Sequence, residues 1–171
     1  MRNSSYLFKP QFNHKGLDTV LTQLFTNARI SDCIRPILIT TYNVESNKPY
    51  YFSTRKARAK ANLNFKLVDV CRATSAGPTY LPAKMLWEPE RMICVDGGVF
   101  QNNPTTSALV EIMKYPELYT GDKVLPLEEI YIKLSCKLSG HEGHNEPQRT
   151  LIAAILFVVS LCAFVVSLCS L

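Results

Sequence analysis

The chain has 171 residues, a net charge of +5 at pH 7 and an apolar fraction of 47%. This length suffices for one buried core, and the modest positive charge gives no indication of nucleic-acid binding. The six cysteines form no Cys-x-x-Cys pair and two of them lie in the apolar tail, a pattern that favours buried or unpaired thiols in a reducing compartment over a disulfide framework.

The first third of the chain predicts a helix followed by a β-hairpin. Residues 1–12 are polar and basic and do not resemble a secretory signal. Apolar residues at helical spacing predict an amphipathic helix over 16–27. The β-branched run 37–42 predicts a strand buried on both faces, and a turn at Asn47 leads into a second strand over 50–53.

The middle of the chain predicts a charged connection and a second helix. The basic run 55–60 is interpreted as a solvated loop, with a patch for anionic lipid headgroups as the less favoured alternative. Asn64 is placed to cap a helix that runs to about Ala73. Pro78 and Pro82 break the following segment into a loop.

A short apolar strand then leads to a carboxylate and two glycines. Residues 93–104 read Ile-Cys-Val-Asp-Gly-Gly-Val-Phe-Gln-Asn-Asn-Pro. The strand over 92–95 delivers Asp96 at its carboxyl end, the edge where open α/β sheets place their sites. Gly97 and Gly98 permit unusual backbone angles and leave room for a second backbone or a substrate beside the carboxylate.

The residues after the glycines predict another helix. Asn103 is placed to cap it, and Pro104 suits its first position because proline lacks an N–H group. This helix is expected over 104–115, before Pro116. Further along, alternating apolar residues predict a half-exposed strand over 130–134.

The last 21 residues, 151–171, carry no charge and match the thickness of a bilayer core. They are interpreted as a transmembrane helix; a buried core helix is the alternative. We therefore expect a domain over 1–135, a polar linker over 136–150 and a C-terminal single-pass anchor over 151–171, with the domain on the cytoplasmic side.

Two motifs, residues 93–104 and the earlier segment 72–82, resemble the patatin-like phospholipase family and occur in the family's order. The first is the Asp-Gly-Gly stretch with its Asn-Asn-Pro helix start at 93–104. The second, residues 72–82, reads Arg-Ala-Thr-Ser-Ala-Gly-Pro-Thr-Tyr-Leu-Pro and is similar to the family's Ala-Thr-Ser-Ala-Ala-Pro-Thr-Tyr segment. The resemblance covers roughly 17–115, the second half of a patatin domain.

The resemblance implies an α/β fold, the carboxyl-terminal part of a patatin three-layer α/β/α sandwich. It also implies a lipid acyl hydrolase that uses a serine–aspartate dyad and needs neither cofactor nor metal. Asp96 corresponds to the dyad carboxylate, with Gly97, Gly98, Asn102 and Asn103 as supporting residues of its motif. The implied substrates are phospholipids or other acyl esters at a membrane surface.

The family's nucleophile is missing from this sequence. Patatins carry it in a Gly-x-Ser-x-Gly elbow behind a glycine-rich oxyanion loop, and none of the seven glycines belongs to such an element. The near-match around Ser75 has alanine for the first glycine and coincides with a family serine that is not the nucleophile. His141 and His144 have the wrong spacing for a His-Glu-x-x-His zinc site.

Three hypotheses follow for function. The chain is part of a lipid acyl hydrolase that supplies Asp96 while a complementing N-terminal patatin half supplies the nucleophile. Alternatively, it is a non-catalytic, membrane-anchored remnant or binding module. The weakest hypothesis is a self-contained hydrolase that uses Ser75. Without the other half, we expect the helix over 16–27 and the strand over 37–42 to be partly uncovered.

Overall fold

The computed structural model of the protein describes residues 10–87 and 89–120. The helices and strands follow in the order α1 (Lys15–Phe25), β1 (Leu38–Asn43), β2 (Lys48–Ser53), α2 (Thr54–Ala59), α3 (Leu67–Thr74), β3 (Lys84–Leu86), β4 (Met92–Asp96), α4 (Thr105–Lys114) and α5 (Pro116–Thr120). Short 3-10 turns lie at Ile30–Asp32, Ala61–Leu63 and Gly97–Val99.

The strands form one sheet in the order β2-β1-β4-β3, and each described pairing is antiparallel. Strand β1 lies inside the sheet, because β2 pairs with one of its edges and β4 with the other. Thr41 is opposite Asp96 in the second pairing. The expected α/β class is confirmed, and β1 is placed directly beside the strand that carries Asp96.

The core lies on one face of this sheet. Alternate side chains of the strands, including Ile39, Phe52 and Cys94, pack together with Val70 and Ala73 of α3. The rings of Phe52 and Phe65 meet edge to face, with centroids 5.1 Å apart. This contact brings the segment before α3 onto the hairpin and closes the core.

Helix α1 contacts α3 but leaves part of its apolar stripe in solvent. Leu21 is buried, whereas Val20 is 39% and Leu24 61% exposed. The expectation of an uncovered helix face is therefore confirmed. For the strand it is wrong, since Ile37, Leu38 and Ile39 are all buried.

The basic run 55–60 was expected to be a loop, and this expectation is wrong. Most of it belongs to α2, which Ser53 caps by accepting a hydrogen bond from the Lys56 N–H at 3.3 Å. Thr54 and Ala57 are buried and fix one side of the helix against the protein. Arg, Lys and Ala are also good helix formers, so propensity favours this structure.

Asn64 does not cap α3, which begins at Leu67. Its side-chain oxygen instead accepts from the Ser31 N–H at 3.0 Å, and its amide donates to Ser31 Oγ at 2.7 Å. The residue thus joins two distant turns of the chain. A long-range partner of this kind leaves no local signal in the sequence.

The predictions for α1, the hairpin, β4 and α4 are confirmed to within two residues at their ends. Strand β3 and helix α5 were not predicted. Pro116, expected to stop a helix, begins α5. A proline at the first helical position loses no hydrogen bond, so both roles are compatible with its chemistry.

Within the described ranges, no helix has the length and apolar character needed to cross a bilayer. The transmembrane helix predicted over 151–171 lies outside the described residues, as do the linker over 136–150 and the strand over 130–134. These predictions and the domain boundaries built on them stay predictions.

Candidate functional site

Asp96 is the last residue of β4, where the strand turns into the 3-10 turn Gly97–Val99. Its backbone N–H donates to the carbonyl of Ala76 at 3.0 Å. On the neighbouring strand, the hydroxyl of Thr41 donates to the carbonyl of Val95 at 2.7 Å. The backbone at Asp96 is therefore held by the sheet on one side and by the loop after α3 on the other.

The two carboxylate oxygens of Asp96 have different surroundings. Oδ1 accepts a hydrogen bond from the Gly98 N–H at 2.9 Å, while Oδ2 lies 3.9 Å from the position that a Cβ added at Gly77 would take. Nothing in 10–87 or 89–120 donates a hydrogen bond to Oδ2. Burial raises the pKa of Asp96 above its ordinary value, and the Gly98 N–H opposes that rise. This arrangement leaves one oxygen of a relatively basic carboxylate able to accept a proton.

Gly97 is required by a close backbone approach. A Cβ added there would lie 2.1 Å from Thr40 Oγ1 and 2.8 Å from the Thr40 carbonyl carbon. Neither Gly97 nor Gly98 has a φ in the left-handed region. The expectation of unusual backbone angles is thus wrong, and the expectation of room for a second backbone is confirmed at Gly97, where β1 occupies that room.

Gly98 and Asn102 face each other beside the carboxylate. A Cβ added at Gly98 would lie 3.3 Å from Asn102 Oδ1 and 3.5 Å from Asp96 Oδ1. Asn102 itself is exposed. A side chain at Gly98 would therefore be tight against Asn102 and in ordinary contact with Asp96.

Asn103 was predicted to cap α4, but Pro104 occupies the N-cap position and Asn103 precedes it by one residue. Its Oδ1 accepts from the Thr105 N–H at 3.0 Å and from the Thr105 hydroxyl at 2.6 Å. Pro104 precedes the first residue of α4 rather than occupying it. These hydrogen bonds connect the Asp96 loop to a helix of ten residues.

Ser75 lies at the carboxyl end of α3, where its hydroxyl donates to the Arg72 carbonyl at 3.3 Å. In a nucleophile elbow the serine follows a strand and precedes a helix, so that helix N–H groups support the developing negative charge. Ser75 has the opposite placement. No hydrogen bond joins it to Asp96 in the part of the chain that the structure describes.

The loop after α3 is tied down from both sides. Arg72 is buried and its Nη2 donates to the Pro82 carbonyl at 2.7 Å, while its Nε lies 3.2 Å from Asp18 Oδ1. His14 Nδ1 is 2.6 Å from the other oxygen of Asp18. These contacts link α1 to the loop that contains Gly77, and so to the surroundings of Asp96.

Sequence reasoning missed a polar cluster beside the Asp96 loop. The Gln101 N–H donates to the Gly97 carbonyl at 3.0 Å. Its side-chain oxygen accepts from Ser107 at 2.9 Å and from the Tyr51 hydroxyl at 3.2 Å. Tyr51 lies 50 residues before Gln101 in the chain, so no local motif predicts that it joins this cluster.

The sequence was also compared with known proteins. The family model described as patatin-like phospholipase matches residues 2–109. This range contains both motifs and Asp96. Among the described residues, no group of three or more His, Cys, Asp or Glu side chains could hold a metal ion.

Several plant proteins are similar to this chain. Patatin-like protein 4 of Arabidopsis thaliana is 33% identical over 138 residues, which are 75% of this chain and 34% of that protein. Patatin-like protein 1 of Oryza sativa subsp. indica is 33% identical over 132 residues, 73% of this chain and 30% of that protein. "Probable inactive patatin-like protein 9" of Arabidopsis thaliana is 30% identical over 129 residues, 68% of this chain and 34% of that protein. The chain spans about a third of the length of these relatives.

Proposed function

Because the chain belongs to the patatin-like phospholipase family, whose members are generally lipid acyl hydrolases, we propose that it supplies the catalytic aspartate of such a hydrolase. The observation that carries this proposal is the placement of Asp96. It ends a strand, is half-buried, and has one oxygen held by Gly98 and the other turned toward the loop at Gly77.

In this reaction Asp96 acts as general base. A serine hydroxyl loses its proton to the carboxylate while its oxygen attacks the carbonyl carbon of a lipid ester. The ester C–O bond then breaks, Asp96 returns the proton to the departing alcohol, and an acyl-enzyme remains. The raised pKa of Asp96 supports this role, because a more basic carboxylate is a better proton acceptor once it is ionised.

The serine and the oxyanion loop would come from a complementing N-terminal patatin half. Together the two parts would form the three-layer α/β/α sandwich that the family resemblance implies. The substrate class is phospholipids or other acyl esters at a membrane surface. Residues 151–171 would attach the assembly to the membrane, with the domain on the cytoplasmic side.

A second function is supported by a different observation. This sequence contains no Gly-x-Ser-x-Gly elbow, and one similar protein is named as a probable inactive member of the family. In this alternative the chain is a non-catalytic, membrane-anchored remnant or binding module. The helix-terminal position of Ser75 favours it over a self-contained hydrolase.

A complementation assay distinguishes the two functions. The full chain is co-expressed with the N-terminal part of patatin-like protein 4, and hydrolysis of phospholipid vesicles is measured. We expect turnover that falls by about 10³-fold or more with Asp96→Asn. Asp69→Asn is the matched control. Asp69 lies on α3 and pairs with Lys84 of β3 at 2.7 Å, so this substitution should leave turnover unchanged.

Each outcome has a definite meaning. Retained turnover in Asp96→Asn contradicts the role of this carboxylate. No turnover with this partner or with the corresponding half of other relatives supports the non-catalytic alternative. Labelling of Ser75 in the isolated chain by a fluorophosphonate would instead support the self-contained hydrolase.

A further inference from the structure

A cleft of about 280 Å³ lies between α2, strand β2 and α4. Asp96 is not among its lining residues, so it is separate from the site described above. Ligand pockets for drug-sized molecules begin near ~300 Å³. The volume therefore suits a small group better than a long acyl chain.

The charges along the cleft are mostly positive. Arg55, Lys56 and Lys114 contribute three cations and Glu111 one carboxylate, so the lining carries a net charge of 3 − 1 = +2. The four side chains come from two helices that face each other. A concave, basic surface of this kind concentrates anions.

Two of the cations are held in position. Arg55 Nε pairs with Glu111 at 2.8 Å, and its guanidinium carbon lies 3.8 Å from the centre of the Tyr115 ring. Lys56 Nζ donates to the Tyr51 carbonyl at 2.9 Å. Burial, followed by the charge of Arg55, lowers the pKa of Lys56, so a bound anion would stabilise its charged form.

Hydroxyl groups complete the lining. Tyr51, Thr106 and Ser107 all border the cleft, and Ser107 Oγ lies 3.3 Å from the Tyr51 hydroxyl. The hydroxyl protons of Tyr51 and Ser107 are donated to Gln101, so the ammonium groups are the main donors available to a phosphate oxygen. Glu111 opposes an anion, but it is already paired with Arg55.

We propose that this cleft binds a phosphate group, with Lys56 and Lys114 as its principal cationic contacts. The group belongs either to the headgroup of an anionic phospholipid or to a soluble phosphate. The proposal rests on the cleft alone and does not depend on the function proposed for Asp96. An occupied cleft would still adjoin the Asp96 loop, because Gln101 bonds both Ser107 and Gly97.

The test uses two probes on the full chain at fixed ionic strength. Inorganic phosphate is titrated by calorimetry, and cosedimentation compares vesicles of phosphatidic acid with vesicles of phosphatidylcholine. Because the apolar segment 151–171 would contribute to binding of both kinds of vesicle, the difference between them reports on the headgroup. The test variant is Lys56→Gln with Lys114→Gln. The matched control is Arg58→Gln with Lys60→Gln. Both residues are exposed and lie outside the cleft, and the two substitutions remove the same amount of positive charge.

We expect the cleft variant to bind about tenfold more weakly or worse and the control to stay within about twofold. Saturable binding of inorganic phosphate that shows this difference identifies a site for any phosphate group. The same difference with phosphatidic acid vesicles alone identifies a lipid headgroup site. Equal weakening in both variants, or no saturable binding of either probe, overturns the proposal.

A single variant guards against misfolding. Lys114 is exposed in the last turn of α4, so Lys114→Gln should leave the fold intact. It should weaken binding in the same assay by several-fold. Unchanged affinity in this folded variant would also contradict the proposal.

Discussion

The carboxylate of Asp96 is kept where its charge is unfavourable. Burial raises its pKa, and the Gly98 N–H compensates only in part. A proton acceptor gains basicity from such surroundings, whereas the folded state loses stability when the group is ionised. The same geometry that suits the proposed role therefore destabilises the fold at neutral pH.

Asp96→Asn should stabilise the fold in a pH-dependent way. Because the pKa of Asp96 is higher in the folded than in the unfolded state, its protonated carboxyl group contributes stability below the unfolded pKa, near 3.8. This stability is lost as the pH rises through the folded pKa. The urea midpoints of variant and wild type should agree near pH 3.5. As the pH rises to 7, the midpoint of the variant should become progressively higher than that of the wild type. Glu117→Gln in α5 is the exposed control. A wild type that is more stable than Asp96→Asn at pH 7 would contradict this.

Gly97→Ala should destabilise the fold by about 3 kcal/mol, because the added Cβ meets the backbone of β1. Gly16→Ala is the control, since a Cβ there has nothing within 4 Å and lies in α1. It should raise stability by about 0.5 kcal/mol. Urea unfolding of both variants measures the difference. Equal effects of the two substitutions would show that the close approach is absent.

At the scale of elements, one ion pair fixes α1 on α3. Arg72 is buried and contacts Asp18, which also contacts His14 at the start of the helix. A buried guanidinium needs a counter-charge, since isolated burial of a charge is strongly unfavourable. The uncovered apolar stripe of α1 makes this polar link more important for holding the helix.

Asp18→Asn should lower the free energy of unfolding by about 2 kcal/mol, because it removes the counter-charge of a buried cation. Arg91→Gln is the comparison. Its ion pair with Glu45 has side chains that are 52% and 39% exposed, and its loss should change stability by less than about 1 kcal/mol. Denaturant unfolding at pH 7 tests both. A smaller loss for Asp18→Asn than for Arg91→Gln would be contrary to expectation.

The elements themselves were largely predictable, and their charged faces were not. The spacing of apolar residues predicted α1 and α4, and the turn residues at Asn47 predicted the hairpin. In the structure Asn47 has a φ of 53°, a value that asparagine tolerates in turns. The charge of the basic run 55–60 favoured a solvated loop. Ser53 as a helix cap and the helix-forming Arg, Lys and Ala residues instead favour the helix that the structure contains. That Arg55 and Lys56 face a cleft while Arg58 and Lys60 are exposed depends on α4, more than 40 residues away in sequence.

At the scale of the whole molecule, the core is closed by pairings that no local pattern specifies. Strand β1 lies between a hairpin partner and a strand more than 50 residues further along the chain. The position of Asp96 at a strand end was predictable from its motif. Its contacts with Ala76 and Gly98, and the neighbouring Gln101 cluster, depend on this long-range arrangement.

Two buried thiols report on the integrity of this core. Burial raises the pKa of Cys71 to about 12 and that of Cys94 to about 11. In a variant that keeps only these two cysteines, a disulfide reagent at pH 8 should react about 100-fold more slowly than in denaturant, because the thiolate is the reactive form. Rapid labelling of either thiol in native buffer would contradict the closed core.

The contact of Gly97 with β1 has an evolutionary consequence. Part of the obstruction is the Thr40 backbone, which lies 2.8 Å from the position of an added Cβ, so no substitution of the Thr40 side chain can fully compensate for loss of the glycine. A lineage that abandoned hydrolysis but kept the fold would still retain a glycine here. A glycine at this position is therefore evidence for the packing of the Asp96 loop against β1. It is not evidence that the chain still catalyses a reaction.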